Sequence, residues 1–336
     1  KALDKVFAGE RYLEFKDING LTEISKKRVL TTGGYYGYLK IAEGCDKRCT
    51  YCIIPKLRGN YRSIPMEQLI SQAEYLAEQG VRELILVAQE TTVYGKDLYQ
   101  EKCLHKLLKE LCKIPGIQWI RILYCYPEEI YPELIQTMKE EKKICHYLDL
   151  PIQHCSDKIL KKMGRRTTKQ ELIDIVTLLR KEIPDIVLRT TLITGFPGET
   201  EEDHEELMEF IDTMEFDRLG VFTYSAEEDT PAANMPDQIE EEVKQDRQAE
   251  LMELQQEISI DKGNEKIGSC VEVMIEGKVA DENAYVGRTY GDAPNVDGYI
   301  FVNTDTELMS GDFARVHVTG ALEYDLIGEL ENEYTE

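Results

Sequence analysis

No stretch of this 336-residue chain is apolar over anything near the ~20 residues that a bilayer-spanning helix needs, and no basic-then-apolar leader is present. The expectation is a protein with no membrane segment. Positive charge is also scarce: 40 Lys and Arg face 64 Asp and Glu, a net charge of −24. A nucleic-acid binder normally carries a basic stripe that displaces counterions from phosphates. The opposite balance here points to a basic partner, or simply to a well-solvated acidic surface. No cysteine precedes Cys45, and most of the nine cysteines are scattered: Cys103, Cys112, Cys125, Cys145, Cys155 and Cys270. Each of these six reads as a small buried hydrophobe rather than half of a disulfide, which fits a reducing cytoplasm.

What is present is a cluster of three cysteines in eight residues, Cys45-Asp-Lys-Arg-Cys49-Thr-Tyr-Cys52, directly after the strand-like Tyr38-Leu-Lys-Ile-Ala42. Structural zinc takes four ligands, and an electron-transfer 4Fe-4S cube takes four cysteines. A cube held at three corners leaves one iron open to a small molecule, so the loop reads as a reaction centre. Lys47 and Arg48 are expected to lower the thiolate pKa and favour ligation. A zinc knuckle completed by a distant Cys or His is the alternative that counting leaves open.

Short apolar segments alternate with helical patterns. Strands are expected at Leu39–Ile41, Glu83–Ala88, Trp119–Tyr124, Tyr147–Ile152, Val187–Thr194 and Leu219–Tyr224. Helices are expected near Met66–Gln79, Leu104–Cys112, Pro132–Lys142, Lys169–Lys181 and Glu201–Met214. This is the βα signature of a parallel sheet. Six units fall short of an eight-fold barrel, so the fold class is α/β, a partial (βα)6 TIM-like barrel with its chemistry at the C-terminal strand ends. A charged amphipathic helix over 239–262, with Val243, Leu251, Leu254 and Ile258 as its stripe, closes the first domain, 1–262. Beyond Lys266 the period turns to strands, Cys270–Ile275, Ala284–Arg288, Gly298–Val302 and Phe313–Ala321, so 266–330 reads as a small all-β barrel of the oligonucleotide-binding sort. From residue 266 to the end, four basic residues stand against fifteen acidic ones, a net charge of −11.

The C-x3-C-x2-C run with Tyr51 before its last cysteine resembles the radical S-adenosylmethionine (AdoMet) superfamily, whose open iron chelates AdoMet. Further segments are similar to one branch of it, the methylthiotransferases: Leu86-Val-Ala-Gln-Glu-Thr-Thr-Val-Tyr-Gly95, Arg121-Ile-Leu-Tyr-Cys-Tyr-Pro127, Tyr147-Leu-Asp-Leu-Pro-Ile-Gln-His154, Leu188–Glu199 and Phe216–Ser225. Gly287-Arg-Thr-Tyr-Gly-Asp-Ala-Pro-Asn-Val-Asp-Gly298 resembles the family's TRAM domain. The resemblance implies a 4Fe-4S cluster on Cys45, Cys49 and Cys52 that cleaves AdoMet. A methylthio group then enters the β-carbon of an aspartate on small-subunit ribosomal protein twelve. It also implies an electron donor such as flavodoxin or ferredoxin, with transfer RNA disfavoured as substrate by the acidic β module.

For the AdoMet contacts the resemblance implies Tyr51 against the adenine, Gln89 and Glu90 near the amino group, Gln153 and Arg189 at the ribose or carboxylate, and close approach at Gly195, Pro197 and Gly198. Each has a plainer reading: core packing for Tyr51, a helix N-terminal carboxylate for Glu90, an acidic partner for Arg189, strand-end bonding for Gln153, and an ordinary βα turn for the glycines. Arg58 and Arg62 read as substrate contacts or surface pairs, and His154 as a core histidine. Lys161-Lys-Met-Gly-Arg-Arg166 reads as a ribosomal-RNA contact or a helix C-terminal cap. The family also carries an N-terminal domain whose three cysteines hold a second cluster, the sulfur donor. With no cysteine before Cys45, this polypeptide is expected to cleave AdoMet without completing the transfer. The rivals are a transfer-RNA adenosine methylthiotransferase and a non-catalytic iron–sulfur module with a fourth protein ligand.

Overall fold

The computed structural model describes residues 2–14, 17–20 and 28–331. Its core is one sheet of six strands: β1 Tyr36–Lys40, β2 Glu83–Val87, β3 Trp119–Ile122, β4 Ile144–Asp149, β5 Val187–Thr194 and β6 Arg218–Thr223. They lie side by side in chain order, every pair parallel. β3 is buried at all its positions. The helix Leu104–Cys112 shows why these covers form: Leu104, Leu107, Leu108 and Leu111 fall on one face and are all buried. Capping boxes start two others, Thr168 with Glu171 and Thr200 with Asp203.

β4 starts three residues earlier than the sequence suggests. Pro151 has no N–H to give the ladder, so the strand ends before it. Gln153 rejoins β5 only as an isolated bridge to Leu192, on a left-handed backbone with φ 72°. The helix Asp157–Lys162, too short for a periodic signal, was not anticipated.

The long helix Glu241–Glu265 lies against β6, at the sheet's open edge. The expected stripe fails at one of its four positions, since Leu254 also packs on the core. Leu251 and Ile258 are buried, but Val243 is exposed, and Lys244, Arg247, Gln255 and Ser259 fill the inner face. Their polar ends find donors and acceptors there in part: Lys244 donates to Tyr224 O at 3.0 Å and Gln255 to Phe216 O at 2.9 Å, while Gln255 Oε1 and Arg247 Nε have no partner.

The C-terminal module is a closed five-stranded barrel, β7 Cys270–Lys278, β8 Ala284–Arg288, β9 Ile300–Asn303, β10 Phe313–Ala321 and β11 Leu326–Leu330, in the order β8-β9-β11-β10-β7. The fifth strand is one more than the sequence reading counted. Closure removes the free edges that a four-stranded sheet would expose. The segment between β8 and β9 seals the N-terminal mouth of the six-stranded sheet. Ala293 packs with Trp119, Cys145, Tyr147 and Val187. Asn295 donates to Tyr36 Oη at 3.0 Å, and Asp292 holds Arg218 at 2.6 Å. At the centre, wholly buried Glu83 bridges Arg121 and Arg288, each at 2.7 Å.

Candidate functional site

The three-cysteine loop leaves β1 at its C-terminal end. Gly44 starts it with φ 80°, and a Cβ there would meet Asn60 O at 2.1 Å, so only glycine fits. Gln89, just past β2, accepts the Gly44 N–H at 2.8 Å. From the far side the segment 162–164 clamps the loop. Thr50 N donates to Met163 O at 2.9 Å, and Thr50 Oγ1 to Lys162 O at 2.8 Å. Gly164, φ 74°, packs on Arg48 O. The basic patch at 161–166 thus braces the cysteine loop, a role no pattern in the sequence announced.

Two cavities flank the loop, of about 400 and 370 Å³, and Cys45 and Tyr126 border both. Cys49 lines the larger and Cys52 the smaller. Burial pushes the Cys45 thiol up to about 11, and it raises Cys52 as well. This reverses the expected lowering. Lys47 gives its charge to Glu128 and Glu129, at 3.3 and 2.6 Å, and Arg48 points into solvent. Among the described residues no three Cys, His, Asp or Glu side chains converge as they would around a single metal ion. A polynuclear cluster, whose corners stand apart, is the group this donor set suits.

Glu90 borders the larger cavity, almost wholly buried. Its Oε1 accepts from Thr92 N at 2.9 Å, while Oε2 has no partner. Burial raises its pKa to about 7, with the Thr92 bonds and Lys47 pulling the other way. Turns rather than a helix follow it, so the helix-terminus reading does not apply. An orphaned buried carboxyl oxygen beside two cysteines is what a ligand bearing an ammonium group would satisfy, and the residues present fit the cluster and AdoMet on that ground.

The other anticipated contacts are placed as follows. Tyr51 packs edge-to-face on Phe196 at 6.5 Å, and Phe196 on Tyr224 at 5.2 Å. Arg189 is held by Asp149 at 2.7 Å and by Asp297 of the β-barrel module at 3.4 Å, its acidic-partner reading. A Cβ on Gly195 would strike Lys244 Cγ at 2.3 Å, and one on Gly198 would strike Lys162 Nζ at 2.0 Å. Pro197 O accepts from the same Lys162 at 3.3 Å. That turn is fixed by Glu199, which takes Phe196 N at 3.1 Å and pairs with Arg247 at 3.0 Å. Arg58 and Arg62 are a surface pair and a backbone contact, to Glu43 at 3.9 Å and to Arg58 O at 3.1 Å. His154 is fully buried, its pKa lowered to about 3 by burial, and its Nδ1 accepts from Ser156 N. It is a neutral core histidine.

Three residues beside the cysteines were not singled out by sequence: Tyr124, Tyr126 and Arg165. Tyr124 sits just past β3 on a left-handed backbone, φ 60°, and borders the smaller cavity. Non-glycine residues held this way concentrate at functional sites. The run Tyr124-Cys-Tyr126 was the available signal.

Residues 39–211 match the profile of the Radical SAM superfamily, and 267–330 that of the TRAM domain. The chain is 64% identical over 331 residues to ribosomal protein uS12 methylthiotransferase RimO of Lachnoclostridium phytofermentans, covering 98% of this chain and 75% of the relative. The chain belongs to the RimO family. A RimO of Clostridium botulinum is 52% identical over 334 residues, 98% of this chain and 74% of that one. Among solved structures, the radical S-adenosylmethionine methyltransferase TsrM of Kitasatospora setae superposes with a TM-score of 0.47 at 17% identity, over 74% of this chain and 42% of that one. Membership in the RimO family makes the chain an enzyme of the transferase class, of the radical AdoMet type with an iron–sulfur cluster. None of its described helices is long and apolar enough to cross a membrane.

Proposed function

We propose that this chain methylthiolates ribosomal protein uS12, at the β-carbon of an aspartate, with Cys45, Cys49 and Cys52 as the three protein ligands of a 4Fe-4S cluster. The observation that carries the reading is their placement on one braced loop at the C-terminal mouth of the sheet, bordering two cavities with an unpartnered Glu90 oxygen beside them. When bound, the cluster supplies one electron to the AdoMet sulfonium and so a carbon radical. Everything else falls to the chain. Gln89 and the 162–164 segment fix the loop. Glu90, on the larger cavity, would receive the ammonium group of AdoMet, and Tyr124 borders the smaller cavity on the other side of the loop. The sealed opposite mouth keeps water from entering by that route, which matters because a primary carbon radical attacks almost any nearby C–H bond.

The six remaining cysteines form no second cluster-like run, and burial raises Cys103, Cys125, Cys145 and Cys155 in pKa. AdoMet cleavage falls to a core of 1–262, with 266–330 as the TRAM module. A basic ribosomal protein suits a chain of net charge −24, in the cytoplasm, with flavodoxin or ferredoxin as electron donor. Transfer RNA suits it poorly, because the chain from residue 266 to its end carries −11 and turns its Gly287–Gly298 segment inward.

Anaerobic reconstitution tests the reading. Four irons per chain and an electron paramagnetic resonance signal altered by AdoMet are expected. Bound zinc or a fourth protein ligand on the cluster overturns it, and a salt-dependent gel shift with transfer RNA would redirect the substrate.

A further inference from the structure

Cys49 stands apart from its two neighbours in what surrounds its sulfur. The Tyr126 hydroxyl lies 3.5 Å from Cys49 Sγ. The ring of Tyr126 carries the Arg165 guanidinium 4.3 Å from its centroid and the Lys47 ammonium at 4.9 Å. Lys47 is neutralised by Glu128 and Glu129. Arg165 is only loosely paired: its side chain is 1% exposed and its ion-pair partner, Glu128, stays at 3.8 Å, beyond hydrogen bonding. Nη2 donates to Pro151 O at 3.1 Å, while Nε and Nη1 have no partner. A buried cation left in this condition is costly unless an anion arrives to face it. The nearby candidate is Cys49 as a thiolate, with the cluster attached. Against a thiolate sulfur the Tyr126 hydroxyl must be the donor.

We propose that Tyr126 and Arg165 set the reduction potential of the cluster bound through Cys49, the hydroxyl by hydrogen bonding to its sulfur and the guanidinium by its loosely paired buried charge. The inference rests on the three-cysteine ligation proposed above. One electron from a low-potential donor enters the cluster, taking its core from the 2+ to the 1+ state, and no proton moves. The added negative charge is stabilised by a donor at the sulfur and by a cation in low-dielectric surroundings, two recognised levers on iron–sulfur potentials. Both residues therefore make reduction easier. Both act on the potential through Cys49 and are positioning residues.

The test is a mediator titration of the anaerobically reconstituted full chain, followed by electron paramagnetic resonance, with iron counted for each protein. Tyr126→Phe and Arg165→Gln are each expected to keep about four irons and to shift the midpoint to more negative potential, Arg165→Gln further. Arg165→Lys is expected to recover part of the shift by restoring the charge. Unshifted midpoints with iron retained overturn the proposal. So does a loss of iron in Arg165→Gln combined with a wild-type midpoint in Tyr126→Phe, which would make Arg165 only a brace. Wild-type protein without four irons sinks the ligation reading instead, before any potential is compared.

Discussion

The two mouths of the six-stranded sheet handle buried charge in opposite ways. At the N-terminal mouth Glu83 is locked between Arg121 and Arg288 with both of its oxygens used. Burial pushes Glu83 up, but the two guanidiniums outweigh it and hold the carboxylate below its ordinary pKa. At the C-terminal mouth Glu90 is just as buried, yet one oxygen is idle and its pKa rises to about 7. Arg165 there is likewise short of partners. The Glu83 carboxylate is completed by the chain itself, although Arg121 Nη2 beside it has no partner, and the Glu90 carboxyl waits for something the chain does not supply. The seal and the site are made from the same residue types, separated by whether the counter-charges are built in.

The comparison can be broken most severely at the open mouth. Cys45→Ala, Cys49→Ala or Cys52→Ala should each lower iron per reconstituted chain well below about four and abolish AdoMet cleavage, read by iron assay and 5′-deoxyadenosine release. A variant with full iron would remove that cysteine from the ligand set. At the sealed mouth, Glu83→Gln leaves two buried guanidiniums facing each other and should cost about 3–5 kcal/mol in denaturant unfolding. A cost below about 1 kcal/mol would mean that Glu83 contributes little more than an exposed ion pair.

The pH response should have opposite signs at the two mouths. A carboxyl with a raised folded pKa loses stability as pH climbs from its unfolded value of 4.5 to about 7. Glu90→Gln should therefore raise the stability of the cluster-free protein above pH 7, by at most about 3 kcal/mol, while weakening AdoMet binding. Glu83 works the other way: its contribution is present above the unfolded carboxylate pKa and disappears as pH falls through its depressed folded value. Unfolding curves between pH 4 and 8 that change equally for both variants would erase the contrast. The smallest effect is at the brace. Gly164→Ala places a Cβ on a left-handed backbone, 3.0 Å from Arg48 O, and should cost about 1–2 kcal/mol and slow cluster incorporation. Normal incorporation kinetics would separate the brace from the site.

Much of the architecture was legible because it rests on local pattern. Val187–Thr194, Leu104–Cys112, Glu201–Met214, Ala284–Arg288 and Phe313–Ala321 fall where periodicity puts them. The strand Leu326–Leu330 closes a hairpin with Phe313–Ala321, and it was missed because the connecting Leu322-Glu-Tyr-Asp325 carries no glycine, proline or asparagine to mark the turn. The linking helix was misread at Val243 because a helix lying on polar strand ends buries Lys244 and Arg247 where a stripe count looks for aliphatics. At the site, Cys45, Cys49 and Cys52 stood out by residue type and spacing, and Glu90 by its strand-end place and the family resemblance. Arg165 and Tyr126 did not, because Tyr126 meets Cys49 across more than seventy residues of chain and Arg165 reaches the site by stacking on Tyr126.

The sequence by itself determined the sheet order, the three-thiol loop and the acidic balance, since each depends on nearest neighbours or on a sum of charges. Tertiary structure alone decided which charges are paired. The TRAM segment reaches the first turn of the sheet and completes Glu83 there, while nothing reaches Glu90 at the other end. Burial strips water from both carboxylates alike, and only the arrival of a guanidinium from a distant element gives the two residues different chemistry.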